Sequence, residues 1–243
     1  MPGRAIREHI FRLAPQLIEG MNVLRLPTIM RDDRIPPIYQ ARIPPTANIH
    51  PSCYPTHLVS VSPKAAAEGV TPPDAPVAIS TVHGTVITAH CTKLPLPPAV
   101  QSTQPLVLNL VTCHFYVGSV RAWVLLRLYM YGGSVKNFLE MLLPLPPAFL
   151  EDLRPNYNDM GHERPKLNAV CASEAHIHTL AQHVVENTEG GYEKLWERME
   201  FVAEVWRSMC DLGMHDSLLW MALRLAWQVA RYALLLKAQG RRV

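Results

Sequence analysis

A chain of 243 residues and 27.3 kDa, 49% hydrophobic and 18% charged, has the apolar mass for a sizeable core, which excludes a wholly disordered protein. Its net charge of +3 and pI near 8.6 are too slight to argue for nucleic acid on charge alone. Five scattered cysteines, with no CxxC pair and no signal-peptide pattern at Met1-Pro2-Gly3-Arg4, read as reduced thiols of an intracellular protein, nuclear or cytoplasmic.

Seventeen of the 22 prolines fall in residues 1–105, and all five tryptophans lie beyond residue 120. Proline removes a backbone donor and tryptophan marks large buried area. The expected organisation is therefore a loop-rich, proline-rich N-terminal arm over 1–76 and a single α+β domain over 77–240. Residues 4–14 have the pattern of a short amphipathic helix ending before Pro15. From Pro27 to Pro76 the chain reads as extended loop. PPIYQARIPP (36–45) fits polyproline II, either coil laid over the domain or a docking peptide for a proline-reading partner.

VAISTV and TVITAHCTKL, over 77–94, are rich in β-branched residues and flank His83-Gly84, which predicts a hairpin. LVLNLVTCHFYV, about 106–117, predicts a third strand buried on both faces. The period then changes. Ser119 caps an apolar helix that stops at Gly132-Gly133, and Ser134 caps a second that must end before Pro144. A linker runs from about 144 to 165. Three helices follow, about 166–187, 192–212 and 216–237, the last with Asp216 as its N-cap. The expected fold class is α+β: a small antiparallel sheet of a hairpin plus one strand, with a predominantly helical C-terminal half. Residues 217–236 are long enough to span a membrane, but Arg224, Gln228 and Arg231 form one polar stripe, which favours a buried helix with a polar edge.

The 192–212 helix is the clearest periodic element. Tyr192, Leu195, Trp196, Met199, Val202, Ala203, Trp206, Met209 and Cys210 recur at spacings of three and four and predict its buried face, with Trp206 at the centre. Phe201, Val205 and Leu212 form a second apolar stripe roughly opposite. Either another helix of the chain covers them or a protein partner binds there, and they are the candidate partner-binding residues.

Catalytic and metal readings are weak. Cys171, His176, His178 and His183 sit near Glu174, but on one helix His176 and His183 lie about 120–140° from Cys171, so the four cannot converge on one ion. His83, His90, Cys91, Cys113 and His114 fall on predicted strands at no spacing that specifies a metal site or a thiol nucleophile with its base. Phosphate loops, dinucleotide fingerprints, nucleophile elbows and HExxH motifs are absent from the sequence.

The segment FYVGSVRAWVLLRLYMYGGSVKNFLEMLLPL (115–145), an apolar helix ending in Tyr-x-Tyr-Gly followed by a short helix ending in Leu-Leu-Pro, resembles the central block of the clampless family of basidiomycete sexual-development regulators. VWRSMCDLGMHDSLLWMALRLAWQVARYAL (205–234) is similar to that family's C-terminal block. The likeness spans about 77–235, with no recognisable counterpart for 1–76. A further, partial resemblance is to a degenerate BTB/POZ-like core, with Ala89-His90 and Tyr131-Gly132 in place. Four prolines over 94–105 forbid the helix expected after the hairpin. The clampless resemblance implies a non-enzymatic regulator of clamp-cell formation, dikaryon maintenance and release from a cell-cycle block. It implies no catalytic, metal or cofactor residues, and it implies a protein partner, a transcription factor of the mating-type pathway, with no direct nucleic acid or membrane contact. The alternatives are a metal- or thiol-dependent enzyme using the His/Cys groups, and an obligate structural subunit of a larger assembly.

Overall fold

In the computed structural model, which describes residues 2–24, 35–64, 78–153 and 163–240, the N-terminal third carries more regular structure than its prolines predict. Helix α1 spans Pro2–Asn22 and runs through Pro15 instead of stopping before it. An interior proline costs roughly 3 kcal/mol. Here the apolar face of Ile10, Phe11, Ala14 and Leu17 is buried on both sides of it, and that burial overrides the local preference. Gly20 lets α1 approach the 3-10 turn Pro51–Cys53. A Cβ there would stand 1.8 Å from the Cys53 carbonyl oxygen.

Two strands lie in the stretch expected to be loop. Strand β1, Ile38–Arg42, occupies the middle of the segment assigned to polyproline II. The prolines on either side leave its five residues free to pair. Strand β2, His57–Pro63, lies between Pro55 and Pro63, and its residues 57–62 are all buried. Strand β3 is Ala78–Val82 and β4 is Val107–Val117. The sheet order is β1-β4-β2-β3. Strands β1 and β4 pair antiparallel, as do β2 and β3, whereas β2 and β4 run parallel, with His57 opposite Val111 and Val59 opposite Cys113. The sheet is thus mixed, not wholly antiparallel.

The hairpin expected around His83-Gly84 does not form. Strand β3 pairs with β2, and Gly84–His90 is a helix, α2, which buries Val86, Ile87 and His90. Seven residues are too few to separate a period of 2 from one of 3.6, and tertiary burial overrides the β-preference of Thr85, Val86, Ile87 and Thr88. Residues 92–106 form no helix or strand, as Pro95, Pro97, Pro98 and Pro105 require.

Helix α3, Val120–Gly132, and α4, Val135–Leu142, follow with the expected caps. Ser119 Oγ accepts from the Ala122 amide at 3.3 Å, and Ser134 Oγ from the Asn137 amide at 3.1 Å. The short α5, Pro147–Glu151, falls within the predicted linker, whose residues 154–162 lie outside the described residues. The single helix expected over 166–187 is two, α6 (Glu163–Ala172) and α7 (Glu174–Glu186), because Ser173 is extended and caps α7 through the His176 amide. Helix α8 spans Gly191–Leu212 and α9 Ser217–Gly240. Asp216 Oδ1 accepts from the Leu218 amide at 3.0 Å, the predicted cap. The fold class is α+β, with a helical C-terminal half.

The chain divides into two compact units, one of Met1–Gly132 with Ser208–Met214, the other of Gly133–Arg207 with His215–Val243. In the first, α1 and α3 pack together, and α3 also meets β2. Trp123, Leu125, Leu126 and Met130 of α3 are fully buried there. Residues 208–214 close this unit. The Thr92 and Lys93 amides donate to the carbonyls of Gly213 and Leu212, both at 3.2 Å, and Cys91 forms an isolated bridge with Met214. Gly213 sits at φ +65, and a Cβ on it would lie 2.5 Å from Thr92 Oγ1, so glycine is required there twice over. In the second unit α9 packs on α7, α6 and α4. Its buried Ala222, Ala226, Ala230 and Ala233 allow close helix approach, while Arg224 and Arg231 are exposed and Gln228 is half-buried. Among the described residues no helix is long and apolar enough to cross a membrane.

Candidate interaction surface

Of the histidines and thiols expected on strands, His83, His90, Cys91 and Cys113 are buried, whereas His114 is exposed on β4 with its ring centroid 4.5 Å from that of Tyr116. The His83 amide donates to Tyr131 Oη at 2.9 Å, and His83 Nδ1 lies 3.0 Å from the same oxygen. His83 Nε2 lies 3.0 Å from the Cys53 carbonyl oxygen, an obligate acceptor, so Nε2 carries the proton and Nδ1 accepts from the Tyr131 hydroxyl. Both ring nitrogens are thereby committed in the neutral form, and burial holds the imidazole below its ordinary pKa, against a smaller upward pull from the Cys53 carbonyl. His57 repeats the arrangement, with Nε2 2.9 Å from the Pro97 carbonyl and Nδ1 2.7 Å from Thr56 Oγ1, which in turn accepts from the Gly84 amide at 2.9 Å.

Burial pushes the Cys91 thiol up to about 12, and its Sγ lies 3.8 Å from Met130 Sδ. Burial also raises Cys113 and Cys171. A nucleophilic cysteine needs its pKa lowered, and these three are shifted the other way. The break at Ser173 places Cys171 on α6 and His176, His178 and His183 on α7. Among the described residues no three His, Cys, Asp or Glu side chains group as metal ligands.

On α7, Ile177, Leu180, Ala181 and Val184 are buried, His176 is exposed and His183 half-buried. His176→Ala and His183→Ala should each change stability by less than about 0.5 kcal/mol, as surface substitutions do. A urea melt of the double variant checks this, and a cooperative loss of structure would show that the imidazoles hold the helix.

Helix α8 is turned about its axis from the orientation its sequence predicts: Leu195, Val202 and Met209 of the expected face are buried, but Trp196, Trp206 and Cys210 of that face are exposed. Leu195, Val202, Val205, Met209 and Leu212 are buried, with Val205 at 0% and Leu212 at 1% exposure, and Phe201 is half-buried. The stripe Phe201, Val205, Leu212 is thus covered for the most part within the chain. Trp196 and Trp206, expected in the core, are 43% and 48% exposed. Met199 and Ala203 between them are half-buried, which makes a seam at spacings of 3, 4 and 3. Trp206 meets Trp227 of α9 edge-on, with ring centroids 6.1 Å apart at 80°. Tyr192, Glu193, Trp196 and Glu197 line an open depression of about 570 Å³. Along one flank run Glu193, Glu197, Glu200 and Glu204, spaced 4, 3 and 4, of which Glu197 pairs with Lys194 at 2.7 Å. The sequence signal that marks this surface is the glutamate row beside the tryptophans, which makes that side of the helix the wet one.

Fold and geometry define an α+β protein whose buried histidines and thiols serve packing and whose aromatic helix face is turned outward. A family model described as the Clampless protein 1 N-terminal domain matches residues 1–183, and one described as the Clampless protein 1 C-terminal domain matches residues 136–242. The chain belongs to the clampless family. The match includes residues 1–76, for which sequence reading found no counterpart. The family's name ties it to clamp formation in fungi, and it is a family of regulators, not of known enzymes. No curated protein and no solved structure matches the chain.

Proposed function

We propose that this protein regulates clamp-cell formation in fungal sexual development by binding another protein, and that it acts without catalysing a reaction. The observation that carries this is the family match, which runs from residue 1 to residue 242 across both family domains. The finer reading places it in the nucleus or cytoplasm, where it maintains the dikaryon and releases a cell-cycle block through a transcription factor of the mating-type pathway. Recognition of a protein, not of nucleic acid or membrane, agrees with a net charge of only +3.

The test is deletion of the gene in compatible strains followed by complementation with the full chain. The expected result is that mated deletion hyphae grow without clamps and that the chain restores them. Normal clamps and normal nuclear pairing in the deletion strain would overturn the reading.

A further inference from the structure

We propose that the outward face of α8, centred on Trp196 and Trp206, docks a basic amphipathic helix of another protein. This deepens the reading of the chain as a regulator acting through protein contacts and rests on it. Tryptophan is highly buried on average, as Trp123 at 0% shows, yet two tryptophans on one helix stand nearly half exposed. They are not scattered. Trp196, Met199, Ala203 and Trp206 follow the a/d spacing of a helix-pairing seam over about 15 Å. Trp206 is braced by Trp227, so this anchor is ordered before any partner arrives. The depression beside Trp196 offers room for an apolar anchor of the partner.

Charge selects the occupant. Glu193 and Glu200 stand beside the seam where a paired helix places its own flanking residues, Glu197 and Glu204 lie one row further out, and along α8 the cations on that side are Lys194 and Arg207. A partner helix with apolar residues at a and d and lysine or arginine beside them meets both features. A second copy of this chain does not. Two such faces meeting antiparallel set one glutamate row against the other, and like charges at that range repel. An anionic lipid surface is disfavoured for the same reason.

The experiment uses the full chain and two three-heptad synthetic helices with leucine at a and d, one carrying lysine and the other glutamate at the flanking positions. The lysine peptide should bind at least about tenfold more tightly than the glutamate peptide. Trp196→Ala should weaken the lysine peptide at least about tenfold with an unchanged melting temperature. Glu193→Lys with Glu197→Lys and Glu200→Lys should reverse the preference. Equal binding of both peptides, or full binding by Trp196→Ala, overturns the proposal. So does a lowered melting temperature for that variant, which would mean that the chain itself covers Trp196. A dimer in sedimentation that Trp196→Ala dissociates overturns it in favour of a second copy. Complementation separates the two readings. If deletion abolishes clamps and the Trp196→Ala chain restores them fully, the docking face fails and the regulator stands. If deletion leaves clamps intact, the regulator fails whatever the peptides do.

Discussion

Trp123→Ala should cost about 3–5 kcal/mol, the usual range for removing a fully buried aromatic side chain. Trp123 is wholly enclosed on α3, among Leu125, Leu126 and Met130, in the unit that also holds the sheet. Against a domain stability of roughly 5–15 kcal/mol the loss is large enough to empty the soluble fraction at growth temperature. Trp123 Nε1 is buried without a hydrogen-bond partner among the described residues. A buried unsatisfied donor costs about 1–3 kcal/mol, so Trp123→Phe, which deletes that donor while keeping most of the ring, should cost less than half as much as Trp123→Ala. Equilibrium urea unfolding of both variants checks this. Equal destabilisation by the two would show that the indole N–H is satisfied.

Tyr131→Phe should cost about 2–4 kcal/mol, since one hydroxyl serves two buried groups and its loss strands both the His83 amide and Nδ1. Burial holds the Tyr131 phenol well above its ordinary range, so the hydroxyl proton is always there to donate. The same network makes stability depend on pH. The folded state keeps His83 neutral, with its pKa depressed by burial. As pH falls through about 6.5 the unfolded chain takes up a proton that the folded chain refuses. Stability is therefore complete above that pH and declines as the pH drops toward the lowered folded value. The urea midpoint should be lower at pH 5.5 than at pH 7.5, and His83→Gln should narrow that difference. A midpoint that rises on acidification would mean that the imidazole is charged in the fold.

What the sequence disclosed depended on whether local chemistry and tertiary packing pointed the same way. The caps Ser119, Ser134 and Asp216 bind the backbone within three residues, so they could be read directly. Strands β1 and β2 could not, because each is a short run among prolines whose pairing partner, β4, lies some fifty or more residues away. Helix α2 was hidden by its β-branched residues and the glycine before them. In α8 both stripes are apolar at nearly the same period, so spacing gives a helix but not its orientation. The orientation comes from the acidic row beside Trp196, which marks the wet side of the helix. Apolar spacing alone therefore puts Trp206 in the core, where the structure has Val205 and Leu212. The His83–Tyr131 pair joins residues 48 apart and has no sequence signature.

The first unit takes its final piece, Ser208–Met214, from beyond the seventy-five residues that build most of the second. A ribosome delivers the chain from its N-terminus, and domains generally fold as their residues emerge. Here Thr92 and Lys93 must wait for Leu212 and Gly213, and Lys64 for Asp211, whose carboxylate it reaches at 2.5 Å. Until then the end of α2 has an open edge in the nascent chain, at the stage when chaperones meet it. A truncation at either family-domain boundary therefore removes a structural part of the first unit, and a premature stop anywhere before residue 208 should yield a product that is cleared, not a partially active fragment.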